Sequence, residues 1–97
     1  MDINTAIRIL LEQGKVTVGF ETTKKAFLKN NIKLAIVSSN LPQKKLEIIK
    51  SSAPVFKYKG SNSELGVACG KPFPVSIIGI IEAPEKILKA FRNFYER

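Results

Sequence analysis

The sequence predicts an α/β fold, one sheet with helices on both of its faces. Three observations point there. Short runs rich in branched apolar residues take turns with segments whose apolar residues recur every three or four positions. The order is regular from end to end, α-β-α-β-α-β-α-β-α. The chain has 97 residues, 44% of them apolar, which suits one small core, so residues 1–97 are expected to form a single domain.

In chain order, Asp2 or Asn4 can cap a first helix with Ile3, Ala6, Ile7, Leu10 and Leu11 on one face, and Gly14 ends it in the manner of a C-terminal glycine. Val16-Thr-Val18 is a short β-branched strand. After Gly19, residues Phe20 to Asn30 read as a second helix with Thr23, Ala26, Phe27 and Asn30 on one side, closed by Asn30-Asn31. Leu34-Ala-Ile-Val37 is a strand of the buried type, and Ser38-Ser-Asn40 is its polar exit. Pro42 suits the first turn of a third helix carrying Leu46, Ile48 and Ile49, which Ala53-Pro54 breaks. Val55-Phe-Lys-Tyr58 alternates, as a strand with one wetter face does. Ser61 and Glu64 have the spacing of a capping box, so a fourth helix opens there and runs to about Cys69, ended by Gly70. Val75 to Ile81 is the most apolar strand and is expected to be central. Pro84 starts a last helix with Ile87, Leu88, Phe91, Phe94 and Tyr95 on its apolar face.

Composition narrows the function. Sixteen Lys and Arg against eight Asp and Glu give a net charge of +8. Such an excess favours a polyanionic partner through release of its counterions, although a lysine-rich surface can also be merely solvated. The sequence has no histidine and one cysteine, which removes the usual side-chain base near neutral pH, histidine-activated nucleophiles and most zinc sites. No intramolecular disulfide can form, as in a reducing cytosol. The longest apolar run, Val75 to Ile81, is too short to span a bilayer, and the N-terminus lacks the layout of a signal peptide. These features read as a soluble, cytosolic protein that does not associate with membranes.

Several segments invite a chemical reading. Gly66-Val-Ala-Cys-Gly70-Lys71 looks like a phosphate-binding loop, but it has three residues between its glycines where four are needed, and Pro72 stands where Ser or Thr should follow. Cys69 lies near the C-terminal end of a helix, where the dipole raises a thiol pKa, and reads as a small core residue. Glu82 and Glu85 are neighbours in sequence, yet Glu85 belongs to a helix's first turn for structural reasons. No catalytic residue, metal site or cofactor is expected, and the protein does not read as an enzyme. Gly19, between strand and helix, with Thr22 and Lys25 following, could bring backbone amides and a lysine to phosphates or base edges; equally, the glycine could simply make the turn. Phe73, held between two prolines beside Lys71, could stack on an unpaired base or plug the end of the core.

Taken together, Gly19-Phe-Glu-Thr-Thr-Lys-Lys25, Ile36-Val-Ser-Ser-Asn40 and Gly60-Ser-Asn-Ser-Glu-Leu-Gly-Val-Ala-Cys-Gly-Lys71 resemble the L-seven-Ae-type family of RNA-binding proteins. Within it, the chain is similar to the L-thirty-e group of archaeal and eukaryotic large-subunit ribosomal proteins. The resemblance covers nearly the whole chain, and Glu-Leu-Gly followed by Ala-x-Gly is its most specific part. It implies a three-layer α-β-α sandwich around a mixed four-stranded sheet, and recognition of kink-turns, sharply bent RNA motifs with sheared G·A pairs and one base thrown out. It implies that Gly19, Phe20, Glu21, Thr22 and Lys25 meet the G·A pairs together with Asn40. The loop Lys71, Pro72, Phe73, Pro74 and Val75 would cover the extruded base, in a pocket shaped by Glu64, Leu65 and Gly66. Two positions depart from the family: Glu21 stands where Asn or a basic residue is common, and Pro74 where some eukaryotic relatives carry a basic residue.

The expectation is therefore a structural constituent of the large ribosomal subunit, located in the cytoplasm on the ribosome, bound to ribosomal RNA and to other large-subunit proteins, and a monomer when free. Lys24, Lys25, Lys29, Lys44, Lys45 and Lys71 would supply positive charge near the RNA. The alternatives are a kink-turn binder of a guide-RNA ribonucleoprotein, a small nucleotide-binding protein using Gly19 and Lys71, and a protein-interaction module with a basic face.

Overall fold

A computed structural model gives the fold; it describes residues 2–29, 32–51 and 53–95, and side chains up to Phe91. The nine elements follow the expected order: α1 (Ile3–Gln13), β1 (Lys15–Val18), α2 (Phe20–Lys29), β2 (Leu34–Val37), α3 (Gln43–Lys50), β3 (Val55–Lys57), α4 (Asn62–Ala68), β4 (Ile77–Glu82) and α5 (Glu85–Tyr95). The expected closure of α2 at Asn30-Asn31, and the places of the Phe94 and Tyr95 side chains, lie outside what is described.

The sheet runs β1-β4-β2-β3. β4 pairs antiparallel with both β1 and β2, while β2 and β3 are parallel. The sheet is therefore mixed, and its most apolar strand is central, because only an inner strand buries both faces. Strand pleating splits the side chains into two cores. Leu34, Ile36, Phe56, Ile78 and Ile80 face one side, where they pack with Ala6, Ile7 and Leu10 of α1, Leu65 and Ala68 of α4, and Ile87 and Phe91 of α5. Ala35, Val37, Val55 and Ile77 face the other, under Leu46 and Ile49 of α3, with Phe20 and Phe27 of α2 against them. Phe56 and Phe91 meet edge to face, centroids 5.3 Å apart and planes at 82°, an arrangement worth about 0.5–1.5 kcal/mol beyond area burial.

Local chemistry sets the boundaries. Asp2 caps α1, its carboxylate accepting from the Thr5 amide at 2.8 Å and from the Thr5 hydroxyl at 3.1 Å. These bonds, the amide first, hold the Asp2 carboxyl below its ordinary range. Gly14 does end α1, but its backbone is extended (φ −100°, ψ 170°) rather than left-handed. Glycine is needed there for space: a Cβ would come within 2.7 Å of the carbonyl oxygens of Leu10 and Glu82. Pro42 sits one place ahead of the first turn of α3, as its N-cap. In that helix Leu46 and Ile49 are buried, while Ile48 is 43% exposed, against the expectation that it joins the core. In β3 both Val55 and Phe56 are buried, one in each core, so only from Lys57 on does a wetter face appear.

Gly79 lets α2 lie close on the sheet. A Cβ at 79 would come within 2.7 Å of Thr17 Oγ1 and of Thr23 Cγ2. The two threonine hydroxyls share a hydrogen bond of 2.8 Å across that point, and Thr23 is fully buried. The helix that starts at Gly19 is thus pinned to β1 and β4.

Candidate nucleic-acid interface

The C-terminal ends of β1 and β2 and the N-terminal end of β4 lie at one end of the sheet, and the connecting segments meet there. Gly19 leaves β1 with φ of +96°, a conformation that costs an L-residue but not glycine. Among the described residues, no atom beyond its chain neighbours comes within 4 Å of where its Cβ would be, so the turn and not crowding selects glycine. The Gly19 amide donates to the Ile77 carbonyl at 2.9 Å, and its carbonyl accepts from Thr23 at 3.1 Å, which opens α2. Beyond β2, the Ser38 amide donates to the Ser76 carbonyl and the Ser39 amide to the Gly60 carbonyl, each at 2.9 Å.

Asn40 closes this end through its side chain. Its amide group donates to Asn62 Oδ1 at 3.2 Å, and its Oδ1 accepts from the Asn62 backbone amide at 3.0 Å. The Asn62 carbonyl in turn accepts from the Val75 amide at 3.0 Å. One asparagine therefore links the exit of β2 to the start of α4 and, through it, to the segment that enters β4. Asn62 was not among the expected site residues. Its partner is 22 positions away in sequence, and no local pattern announces such a pair.

The Gly66-to-Lys71 stretch has a structural account. Ser61 caps α4, accepting from the Glu64 amide at 3.4 Å, and the Glu64 carboxylate lies over Gly60, where a Cβ would be 2.6 Å from Oε2. At the other end, Gly70 adopts φ of +71°, its amide donating to Val67 at 2.9 Å and the Lys71 amide donating to Gly66 at 3.0 Å. This pair of bonds with a left-handed glycine is the Schellman ending of a helix. Gly66 meets the returning chain: a Cβ there would run into the carbonyl oxygen of Phe73 and come within 3.3 Å of Pro74 Cα. The two glycines thus shape the helix end and hold the loop of residues 71–74 against it.

That loop is exposed from Lys71 to Pro74, with Phe73 51% exposed. Phe73 therefore does not plug the core. It lines an open groove of about 310 Å³ with Ser63, Val67, Lys71, Pro72 and Pro74. Val67, 75% exposed, was also missed by the sequence reading, although its place on α4 opposite Leu65 and Ala68 could have shown it. Val75 and Leu65 differ from expectation the other way. They are 1% and 0% exposed, so they anchor the loop from inside the core and offer no surface. Gly66 is buried too. Glu21, Thr22 and Lys25 are exposed on α2, Asn40 and Glu64 are exposed, and Phe20 is half-buried with Lys45 Nζ 5.0 Å above its ring.

Two neighbouring groups are unusual. Cys69, expected in the core, is only half-buried; burial pushes its thiol upward, and the Lys71 charge offsets this in part. Ser38, expected in a polar exit, is 3% exposed and its hydroxyl has no partner among the described residues. Among the described residues there is also no cluster of His, Cys, Asp and Glu able to hold a metal ion, and no helix long and apolar enough to cross a membrane.

Comparison with known proteins agrees with this architecture. The model of the ribosomal protein L7Ae/L30e/S12e/Gadd45 family matches residues 1–89. Large ribosomal subunit protein eL30 of Sulfolobus acidocaldarius is 43% identical over 93 residues, covering 90% of this chain and 89% of the relative. The eL30 protein of Methanocaldococcus jannaschii is 37% identical, with 84% and 79% covered, and that of Candida albicans 33% identical, with 84% and 82% covered. These relatives are ribosomal proteins and not enzymes. A solved structure of a protein of unknown function from Bacillus halodurans C shares the fold at a TM-score of 0.73, with 22% identity and both chains covered in full. With its sheet order, its glycine-held loop and this match over nearly all its length, the chain belongs to the ribosomal protein L7Ae/L30e/S12e/Gadd45 family.

Proposed function

We propose that this chain is a structural constituent of the large ribosomal subunit and that it binds a kink-turn of ribosomal RNA with the loop end of its sheet. Residues 1–97 would act as one RNA-binding domain, a monomer when free, held on the cytoplasmic ribosome by RNA and by neighbouring large-subunit proteins. Its relatives are named as large-subunit ribosomal proteins, which supports the ribosomal setting.

The observation that carries the kink-turn reading is a juxtaposition. The Gly19 turn, Asn40 and the Phe73 loop, from three separate parts of the chain, are tied at one end of the sheet by main-chain and asparagine hydrogen bonds. Beside them stand an exposed aromatic and the first turns of α2. A bent duplex with an unstacked base needs such a pair of features: a helix start facing base edges and phosphates, and an aromatic to stack on the free base. Bending also crowds phosphates, which a cationic protein relieves. Lys25 would meet phosphate, and Phe73 the extruded base. Glu21, which repels phosphate, would accept from base amino groups.

The test is a titration at fixed moderate salt into a kink-turn RNA and a control whose two G·A pairs are made Watson–Crick. Strong preference for the kinked RNA is expected. Phe73→Ala should weaken it by ~1–3 kcal/mol, the worth of one base on an aromatic, and Lys25→Ala should weaken it further. Equal affinity for the two RNAs would refute the reading.

A further inference from the structure

The charge of this protein is segregated. Positions 20–60 carry nine lysines against Glu21 and Glu47, a net of +7, and the rest of the chain carries only +1. The segment 20–60 comprises α2, β2, α3 and β3, so the excess falls on the helix layer formed by α2 and α3 and on the β3 edge of the sheet. All nine lysines are exposed. None has an ion-pair partner among the described residues; of their ammonium groups, that of Lys45 lies over the Phe20 ring. The opposite layer, α1, α4 and α5, mixes both signs.

The lysines do not stop at the loop end of the sheet. Both α2 and α3 start there and run back toward the other end, so a ten-residue α2 extends ~15 Å away from it. Lys25 and Lys29, one turn apart, share an exposed stripe of α2 that borders the buried Thr23 and Ala26. Lys29, Lys33 and Lys50 lie at the far end, on the last turn of α2, just before β2 and on the last turn of α3. These three lysines therefore stand ~15 Å beyond the Gly19 turn, Asn40 and the Phe73 loop.

We infer that the outer face of α2 and α3 is a second RNA-binding surface, which holds the phosphate backbone of an RNA segment outside the kink-turn. It is continuous with the proposed site, and its chemistry is that of backbone contact: long, exposed ammonium groups without ion-pair partners among the described residues. It would add affinity that depends on salt and not on base sequence. The inference does not need the kink-turn reading, but it is sharpest beside it.

The experiment uses two RNAs, a minimal kink-turn and the same kink-turn with both flanking helices lengthened by one turn, each with its Watson–Crick control. Affinity is measured against salt for the wild type and for the triple variant Lys29→Gln, Lys33→Gln, Lys50→Gln, whose fold is checked by thermal melting. On the longer RNA the wild type should show the steeper dependence of log K on log salt. The triple variant should lose up to ~0.9 of slope per phosphate contact removed, and on the order of tenfold in affinity at low salt. Its preference for the kinked over the control RNA should be unchanged. Equal slopes for variant and wild type on the longer RNA would overturn the inference and leave the exposed Leu28 and Ile48, set among these lysines, to an acidic protein partner. Loss of slope without any kink preference in the wild type would sink the kink-turn reading alone and sustain the second surface.

Discussion

Gly66 is the residue whose replacement best separates this account from a simpler one. In an open helix, glycine to alanine is stabilising by about 0.5–1 kcal/mol, because glycine loses more backbone freedom on folding. Gly66 lies inside α4, and propensity alone would have Gly66→Ala raise the melting temperature. The structure predicts the reverse. The new Cβ would overlap the Phe73 carbonyl oxygen and press on Phe73 C at 3.2 Å and Pro74 Cα at 3.3 Å. These are backbone atoms, which no rotamer change can move. Relief needs the loop to withdraw by on the order of 1 Å, and overpacking of this kind costs ~1–3 kcal/mol. Set against the propensity gain, the net loss is about 1 kcal/mol, or roughly 4–8 °C in Tm for a domain this small.

The assay is a thermal melt followed by titration of kink-turn RNA well below the melting transition. A loop displaced from α4 carries Phe73 with it, so affinity should fall although the protein is folded. Val67→Ala, one position on and 75% exposed, is the control and should shift stability by less than ~0.5 kcal/mol. A Gly66→Ala variant that melts higher and binds RNA as the wild type does would refute the reasoning that glycine is there to seat the loop.

Other outcomes follow from particular bonds. Thr23→Val keeps the shape but removes a fully buried hydroxyl and strands Thr17, so stability should fall by ~1 kcal/mol in denaturant unfolding. Asp2 has its carboxyl held below the ordinary 3.8 by Thr5, so its contribution is present in full above that value and is lost as pH falls through the lower folded one. The Tm gap between wild type and Asp2→Ala should be full at neutral pH and close in strong acid; a gap unchanged down to the lowest pH tested would contradict the cap. Burial raises the Cys69 thiol above its ordinary 9.0, so alkylation by iodoacetamide near neutral pH should be slow in the folded protein and faster in denaturant. Equal rates would show the thiol to be open.

How much of this was legible in the sequence depended on distance along the chain. All nine elements could be read, because each is written in a local period: β-branched runs for the strands, apolar residues at helical spacing for the helices, Ser61 with Glu64 for the start of α4. Gly70 was read correctly for the same reason, since the residues it caps are its neighbours. Gly14 was misread because a glycine at a helix end has two uses. What decides between left-handed turn and close contact is Glu82, far away in sequence. Ile48 resembled a core residue because spacing alone cannot say how wide a stripe the sheet covers. Val75 and Ser38 adjoin exposed loops, and only the packing shows that they turn inward. The site depends on contacts such as Asn40 with Asn62, whose residue types and spacing are unremarkable. There the resemblance to a family offered Asn40 but not Asn62, and local periodicity offered neither.

The two proposed RNA surfaces would divide recognition in a way their chemistry requires. The loop end is built from glycine turns, a stiff Pro-Phe-Pro segment and main-chain hydrogen bonds, none of which changes with salt. Such parts have little freedom to lose on binding and can therefore tell one RNA shape from another. The lysine face has the opposite character. Its side chains are long, exposed and unpaired, so each phosphate contact releases counterions but fixes no geometry. A protein with only the first surface would discriminate but hold less tightly, since one exposed aromatic, two lysines and a few polar groups would meet the bend. A protein with only the second would hold any nucleic acid. Their separation onto a loop end and a helix face of one small sheet means that raising salt should lower affinity for the kinked and control RNAs together. The ratio between them should fall less steeply than either affinity, because Lys25 and Lys71 alone would answer the crowded phosphates of the bend while the far-end lysine contacts are common to both RNAs.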